Sequence, residues 1–230
     1  MPASPQRLAL AIALISSSGF ISQTFANDTV LTSPETGALN LSARDSLTLH
    51  SNASLTTAKV AVTLKGSTLG KGVVIDNAGS LISTGGRAID SSGSEDGEHR
   101  YSILNRSGAT IQGNNDALRI DTNFSRASLL IDNSGTIRST GSGQGIDLDA
   151  LRSPGVSTTV LNRTGGVIRG EFSDGIKTGA HATILNDGEI SAGDALTDND
   201  KFDGIDIDSA PGVVVTNHGT VSGGRHGITT

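Results

Sequence analysis

The chain has 230 residues with a formal net charge of -6, no cysteine, and aromatic side chains at only 3% of its positions. The negative charge and the lack of a basic run argue against nucleic acid as a partner, and the lack of cysteine excludes a disulfide framework and thiol chemistry. Compact cores normally rely on aromatic side chains for buried area. This composition therefore favours an elongated stack whose core consists of evenly spread Val, Ile and Leu.

The N-terminal residues have the pattern of a secretory signal peptide. A positive charge at Arg7 precedes the apolar run LALAIALI at 8–15, and the small residues Thr24 and Ala26 occupy the −3 and −1 positions of a cleavage site. This order predicts cleavage before Asn27, so that 1–26 would be removed on export. The apolar run is too short to be a permanent membrane anchor. A buried N-terminal helix is the alternative interpretation.

The rest of the chain is a tandem repeat. Each unit holds three short segments rich in β-branched residues, separated by Gly, Asn, Ser and Asp, and no helical period occurs. The first segment of six successive units ends in an asparagine: Asn77, Asn105, Asn133, Asn162, Asn186 and Asn217. The successive differences between these positions are 28, 28, 29, 24 and 31 residues. The third segment is centred on an aliphatic residue: Ile89, Leu118, Ile146, Ile176, Ile205 and Ile228.

Three short strands in each unit predict an all-β fold, a single-stranded parallel β-helix of six to seven coils with roughly 28 residues per coil. Each strand would pair with its counterpart in the next coil, ~4.8 Å away, and the aliphatic residues would stack in one continuous core. We expect an N-terminal cap or lead-in at 27–46 and the β-helix at 47–230. Because the last residues stop within a third segment, the chain is predicted to be a fragment.

The repeated asparagines are predicted to be structural. At a tight corner asparagine tolerates the left-handed backbone conformation, and stacked amides can hydrogen-bond to one another as a ladder. A glycine follows each asparagine by two or three residues, and these glycines are expected to need a positive φ. They are Gly79, Gly108, Gly135, Gly165, Gly188 and Gly219. Glycosylation is the competing use, because Asn105 and Asn162 fit the acceptor pattern.

The residue after each aliphatic centre of the third segment alternates in charge. This charged column reads Asp90, Arg119, Asp147, Lys177 and Asp206, followed by Thr229. Opposite charges across a strand pair contribute about 0.2–1 kcal/mol and like charges cost free energy, so the column favours the correct register. We therefore predict a solvated structural face. Asp149 and Asp208, two residues beyond the column, are expected to lack a basic partner.

The sequence contains no recognisable catalytic constellation and no cofactor or metal signature. Sugar hydrolysis needs two carboxylates ~5–10 Å apart, one of them with a raised pKa. Asp147 and Asp206 would lie ~9–10 Å apart, but Lys177 between them would lower both pKa values. The G-x-S-x-G elbow of serine hydrolases does not occur. Five histidines fall at different positions of the repeat and are predicted to be surface residues: His50, His99, His181, His218 and His226.

The best calcium candidate is the segment DNDKFDG at 198–204. It resembles a D-x-D-x-D-G calcium loop with one extra residue, which moves the third acid out of register. Lys201 also lies inside the segment. A solvated insertion is the favoured interpretation, and calcium binding stays open.

The units DNSGTIRSTGSGQGIDLD (132–149) and TNHGTVSGGRHGIT (216–229) are similar to the N-x-G-x-I-x-G-x-x-x-G-I repeats of bacterial autotransporter passenger domains, the exported part of type V secretion proteins. The resemblance covers nearly all of the chain after the signal peptide. It implies a right-handed parallel β-helix that is exported through the inner membrane and displayed at the outer membrane or secreted. It also implies a C-terminal β-barrel translocator as partner, which this sequence does not contain. The serine protease motif of some passengers is missing as well.

These patterns favour a non-enzymatic surface module, the N-terminal part of a passenger that serves as a stalk or adhesin. Long insertions at 91–100 and 191–203 would project from the coils and are the expected contact sites for host-surface or polysaccharide ligands. No cofactor is expected. A secreted β-helical polysaccharide lyase or hydrolase is the alternative from another functional class, and a nonfunctional truncated remnant is a third.

Overall fold

The structure is a computed structural model that describes residues 27–42, 44–65, 72–92, 98–193 and 201–230. The described residues form 24 β-strands and no helix. Consequently none of them belongs to a helix long and apolar enough to cross a membrane. The predicted signal peptide lies outside the described residues.

The strands follow one another as eight coils of three strands each. Coils 1 to 4 consist of β1 (Asp28–Leu31), β2 (Pro34–Thr36), β3 (Leu39–Leu41); β4 (Ser46–Leu49), β5 (Ser54–Thr57), β6 (Val62–Lys65); β7 (Val73–Asn77), β8 (Ser80–Ser83), β9 (Ile89–Ser92); and β10 (Glu98–Asn105), β11 (Thr110–Gly113), β12 (Leu118–Arg119). Coils 5 to 8 consist of β13 (Arg126–Asn133), β14 (Thr136–Ser139), β15 (Ile146–Asp147); β16 (Gly155–Asn162), β17 (Val167–Gly170), β18 (Ile176–Lys177); β19 (Ala182–Asn186), β20 (Glu189–Ala192), β21 (Asp203–Asp206); and β22 (Val214–Asn217), β23 (Thr220–Ser222), β24 (His226–Thr229).

Every third strand joins the same sheet, so three parallel sheets of eight strands run along the whole stack. Sheet A holds the first strand of each coil, sheet B the second and sheet C the third. The predicted register is also present, since Leu118 pairs with Ile89 and Ile146, and Ile176 pairs with Ile146 and Ile205. The all-β parallel β-helix predicted from the repeat is therefore confirmed.

The core is one continuous row of inward side chains. Buried and exposed residues alternate along the longer strands, as in β13, because successive side chains of a strand point to opposite faces. Val, Ile, Leu and Ala dominate the buried set, and its aromatic members are Tyr101 and Phe124. The stack therefore buries its apolar surface coil by coil, as the aromatic-poor composition predicts.

The segment 27–46, expected as a lead-in, holds the three strands of coil 1. Asp45 fastens this coil to the next, because its carboxylate accepts hydrogen bonds from the backbone N–H of Asn27 at 2.9 Å and of Ser42 at 2.8 Å. Burial acts to raise the pKa of Asp45, but these hydrogen bonds leave it below its usual value. Coil 1 brings the total to eight, one more than the predicted six to seven.

The two predicted insertions connect strands of different sheets. The segment 91–100 includes the connection from β9 to β10, and 191–203 includes the connection from β20 to β21. Their central residues, 93–97 and 194–200, lie outside the described part of the chain. Both connections leave the pairing of the flanking strands in register.

Candidate functional site

The six repeated asparagines form a hydrogen-bonded ladder at the corner between sheets A and B. Each is the last residue of its sheet A strand, and the Nδ2 of each of the first five donates to Oδ1 of the asparagine in the next coil. From Asn77 to Asn217 the five donor–acceptor distances are 2.8, 2.8, 2.8, 2.7 and 2.7 Å. The same amides donate to a sheet B carbonyl of the next coil, as Asn133 does to Val167 O at 3.1 Å. The ladder therefore joins two sheets across successive coils.

The asparagine backbones are not left-handed, so that part of the prediction is wrong. Among the described residues other than glycine, a positive φ occurs at Arg44, His181, Asp208 and Ser209. The asparagines remain in the extended strand, and the amide ladder accounts for the residue choice. Asn105 and Asn162 are buried, at 2% and 0% exposure, which leaves no room for a glycan on the folded chain.

The glycines after the asparagines have two different roles. Gly108 and Gly165 have φ of 77° and 80°, as predicted. The other four have no positive φ, so the prediction is wrong for them. At Gly135, a Cβ atom would lie 2.3 Å from the carbonyl oxygen of Ala109 in the preceding coil. Close packing of backbone on backbone, rather than φ, therefore requires glycine at this position.

The charged column of sheet C lies in register, as the sequence predicts. Arg119 pairs with Asp90 and Asp147 along the strands, and Lys177 pairs with Asp147 and Asp206. The guanidinium of Arg119 lies 3.1 Å from the Asp90 carboxylate, so the first ion pair of the column forms. The remaining ion pairs differ from those expected.

Lys177 does not pair with the acids of its own column. Its Nζ lies 3.0 Å from the Asp149 carboxylate, and Arg152 Nη2 lies 3.2 Å from the Asp208 carboxylate. The two acids expected to lack a partner thus have one. Long basic side chains reach diagonally to the more exposed carboxylates, where pairing costs less desolvation than at a buried acid. Asp147 instead accepts a hydrogen bond from the Asp149 backbone N–H at 3.2 Å.

The carboxyl group of Asp147 keeps its proton to unusually high pH. Burial, reinforced by the nearby Asp149 carboxylate, raises the pKa of Asp147 to about 6. The Asp149 backbone N–H and Lys177 act in the opposite direction but do not compensate. The expectation that Lys177 would lower this pKa below its ordinary value is therefore wrong, because loss of hydration outweighs a partner that lies closer to another acid.

A second column of polar residues, here called the upstream column, lies two residues before the aliphatic centres. It consists of Arg87, Asp116, Gln144, Asp174, Asp203 and His226. Arg87 Nε lies 2.7 Å from Asp116 Oδ2, and Asp174 Oδ1 accepts the Asp203 backbone N–H at 2.8 Å. Sequence reasoning missed this column, although the alignment that showed the charged column would have shown it at the offset of -2.

Three carboxylates converge where the two columns meet in coils 6 and 7. Oxygen atoms of Asp174, Asp203 and Asp206 lie within 4.8 Å of one another. Burial raises the pKa of Asp174, and the carboxylates of Asp206 and Asp203 raise it further. Burial also acts upward on the pKa of Asp203, but the hydrogen-bonded guanidinium of Arg225 leaves it below its usual value.

One of the three converging carboxylates, that of Asp203, is already neutralised by a cationic side chain of the same chain, Arg225. Asp203 is fully buried and pairs with both the Arg225 guanidinium and His226 Nδ1, the latter at 3.2 Å. Chemically, the arrangement offers an acid with a raised pKa, Asp174, next to an arginine-bound carboxylate, Asp203. Oxygen atoms in this arrangement could also contribute to a cation site.

The calcium candidate at 198–204 is only partly within the described residues, which begin again at Lys201. Asp203, the third acid of this segment, lies in β21 with its carboxylate bound to Arg225. It therefore belongs to the sheet C columns. The segment 198–200 lies outside the described part of the chain.

One histidine departs from the predicted surface position. His99 is 1% exposed, and its ring stacks on that of Phe124 with centroids 3.9 Å apart. The reason is that β10 begins at Glu98, so the inward alternation of the strand extends back to this residue. The other four are exposed, as predicted: His50, His181, His218 and His226.

The fold and its side-chain ladders define a repeat protein of the parallel β-helix class. Comparisons with protein-family models, with curated protein sequences and with solved structures found no match for the chain. The geometry of the described residues is therefore the basis for any functional proposal.

Proposed function

We propose that the protein is a non-enzymatic, exported β-helix module that serves as a stalk or adhesive surface, of the autotransporter passenger type. The observation that carries the proposal is the register of all three sheets through eight coils, stabilised by the asparagine ladder of coils 3 to 8 and by ion pairs between coils. Such a scaffold holds its surface loops at fixed spacing and presents them to a partner.

The loops with the strongest claim to partner binding are the two segments predicted as insertions, 91–100 and 191–203. The connection from β20 to β21, at ten residues, is longer than the other connections between successive strands of the described residues. The connection from β9 to β10 has five residues, fewer than the seven between β15 and β16, so the prediction of a long insertion at 91–100 is wrong. The strands on either side of both loops stay paired. Length variation without loss of register is typical of loops that carry function on a rigid frame. Host-surface or polysaccharide ligands are the partners that this proposal assigns to them.

Removal of these loops tests the adhesive role. The central segments 93–97 and 194–200 can be shortened without touching a strand. We expect the doubly shortened protein to lose binding to host cells or immobilised polysaccharide while its β-sheet circular dichroism is retained. A matched control replaces both segments by Gly-Ser runs of equal length, and it should lose binding as well. Unchanged binding by the shortened protein would count against the proposal.

The second candidate is a secreted β-helical polysaccharide lyase or hydrolase. It is favoured by the raised pKa of Asp147 in the same sheet as Asp206, since glycoside hydrolysis uses an acid with raised pKa and a second carboxylate. An assay on anionic polysaccharides with and without calcium separates the two candidates. Under the leading proposal no turnover occurs. Turnover that is abolished by Asp147→Asn, in a variant that remains folded, would establish the enzyme instead.

Export and display are part of the same proposal. The protein would cross the inner membrane by its signal peptide and reach the outer membrane, the cell surface or the medium, with a translocator barrel as partner. N-terminal sequencing of the exported protein should give Asn27 as the first residue. A mature protein that retains 1–26 would contradict the export part of the proposal.

A further inference from the structure

The outward face of sheet A differs from the other two outward faces in its aliphatic character. The side chains that alternate with the buried ones include six aliphatic residues, half-exposed or exposed, among Ser, Thr and charged residues: Val74, Leu104, Leu130, Leu161, Leu185 and Val214. Val74 and Val214 are 38% and 56% exposed. The outward face of sheet C carries the charged column, and that of sheet B carries Arg138 and Arg169. We propose that the sheet A face binds a second copy of this chain in a symmetric homodimer.

Charge on this face permits the approach of an identical copy. Strands β7 to β19 of sheet A, with the residue after each, carry four acids and four arginines. The acids are Asp76, Glu98, Asp132 and Asp187, and the arginines are Arg100, Arg106, Arg126 and Arg163. Their sum, 4 - 4, is zero, and Asp28 of β1 brings all eight strands of the sheet to -1, whereas the whole chain carries -6. Like charges juxtaposed across an interface oppose association, so the nearly neutral face is where two copies can meet.

Two of these acids are already neutralised within the chain. Arg106 donates to both oxygens of Asp76 at 2.7 and 2.8 Å, and Arg163 donates to both oxygens of Asp132 at 2.8 and 3.0 Å. Asp132 lies between Leu104 and Leu161, and Asp76 lies beside Leu104, so both bidentate pairs lie within the aliphatic patch. They place polar groups there without adding a net charge.

The outward face of sheet A has a shallow groove on one half and two leucine side chains on the other half. A shallow groove of about 220 Å³ lies over coils 3 to 5, where Gly72, Ser102 and Ser128 have small side chains or none. Leu161 and Leu185 stand side by side on coils 6 and 7. A two-fold contact needs a surface that is complementary to itself. Because Leu130 lies between the two halves, a two-fold axis near it would place these leucines of the second copy over the groove.

The size of the face suits a stable dimer. Eight strands spaced ~4.8 Å apart, each contributing about five residues of ~3.3 Å, give a projected area of ~600 Å². Side-chain relief increases the accessible area above its projection. Standard interfaces bury ~800 Å² on each partner, so full contact along sheet A reaches the range of specific complexes. Two sheets packed face to face in this way lie ~10 Å apart.

Single-cysteine cross-linking tests the dimer directly, because the chain has no cysteine of its own. Leu130→Cys puts a thiol at the proposed two-fold axis, where it faces the same residue of the second copy. Ser80→Cys is the matched control on the outward face of sheet B. Because the two sheets would lie ~10 Å apart, a short bis-maleimide reagent is used to bridge the thiols. In dilute protein we expect a covalent dimer as the main species for Leu130→Cys and monomer for Ser80→Cys. Monomer for both, or equal cross-linking of both, would overturn the proposal.

Molar mass measured by light scattering gives an independent test. The purified protein should have twice the chain mass, and Leu130→Arg should return it to the monomer while the circular dichroism spectrum is unchanged. Ile82→Arg is the matched control, since Ile82 is a half-exposed aliphatic residue on the outward face of sheet B. It should remain dimeric. A monomeric parent protein, a dimeric Leu130→Arg variant or a monomeric Ile82→Arg variant would each contradict the sheet A interface.

Discussion

Asp147 holds its proton in a pH range where a solvated aspartate is ionised. Its burial raises the pKa to about 6, against a reference of ~3.9 for the unfolded chain. Between these two values the folded state binds a proton that the unfolded chain has released. The free energy of unfolding therefore falls as pH rises through this window, and the loss is complete above about pH 6.

Asp147→Asn is expected to remove this loss. An asparagine keeps an oxygen for the Asp149 backbone N–H but has no charge to desolvate. At pH 7.5 the variant should be more stable by about 1–3 kcal/mol, and at pH 4 it should match the parent. Urea unfolding at both pH values measures the difference. Asp121→Asn, at a more exposed carboxylate, is the control and should show no such gain; a pH-independent effect of Asp147→Asn would refute the explanation.

For individual residues, the sequence predicts which side chains share a column better than it predicts which side chains form ion pairs. Aligning the repeats placed Asp147 and Lys177 on adjacent strands, and the structure confirms that register. The alignment did not predict that Lys177 reaches Asp149, because the reach of a long side chain and the hydration of each acid are not properties of an alignment. The ion pair of the buried Asp203 carboxylate was missed for a related reason. Its partner, Arg225, lies one residue before His226 of the upstream column and therefore does not align with Asp203.

At the scale of the element, the asparagine ladder is the feature that joins sheet to sheet. An asparagine in the middle of the ladder both donates and accepts: Asn133 Nδ2 donates to Asn162 at 2.8 Å, and its Oδ1 accepts from Asn105 at 2.8 Å. The corner is buried, so water cannot replace a missing partner. The amide–amide hydrogen bonds of the ladder form only when successive coils pair in register. The ladder therefore stabilises the correct register over alternative ones.

Asn133→Ala should therefore be far more costly than the same change at the end of the ladder. It leaves the Asn105 amide and the Asn162 carbonyl without their partners in a buried site, so we expect a loss of about 2–4 kcal/mol. Asn217→Ala is the matched control, because Asn217 is exposed, and it should cost less than about 1 kcal/mol. Urea unfolding compares the two variants, and equal losses would show that the ladder does not act through burial.

The strands were predictable wherever the repeat has an aliphatic centre and an asparagine. Coil 1 was not, because Leu31 and Leu49 occupy the ladder position in the first two coils and offer no polar marker. The turn glycines were located correctly, but the predicted positive φ occurs only at Gly108 and Gly165 among the six. The contact between Gly135 and the carbonyl of Ala109 depends on how closely the backbones of two coils approach each other. This distance cannot be predicted from the spacing of the repeats in the sequence.

At the scale of the whole molecule, stability should vary from coil to coil. In a stack where each coil contacts only its neighbours, central coils gain from two interfaces and end coils from one. The strands of coils 4 to 6 in sheet A have eight residues each, while β22 of coil 8 has four. The side chains of β22 are also half-exposed or exposed. Coil 8 should therefore loosen before coils 4 to 6.

Residue-resolved hydrogen exchange of the purified protein tests most directly the central claim, that the protein is one rigid stack of coils registered by ladders. We predict the strongest protection in the strands of coils 4 to 6, with the three strands of each coil protected together. Protection should decline through coil 7 to β22, β23 and β24. Full and uniform protection through coil 8, or weak protection of the coils at the centre of the asparagine ladder, would contradict the account.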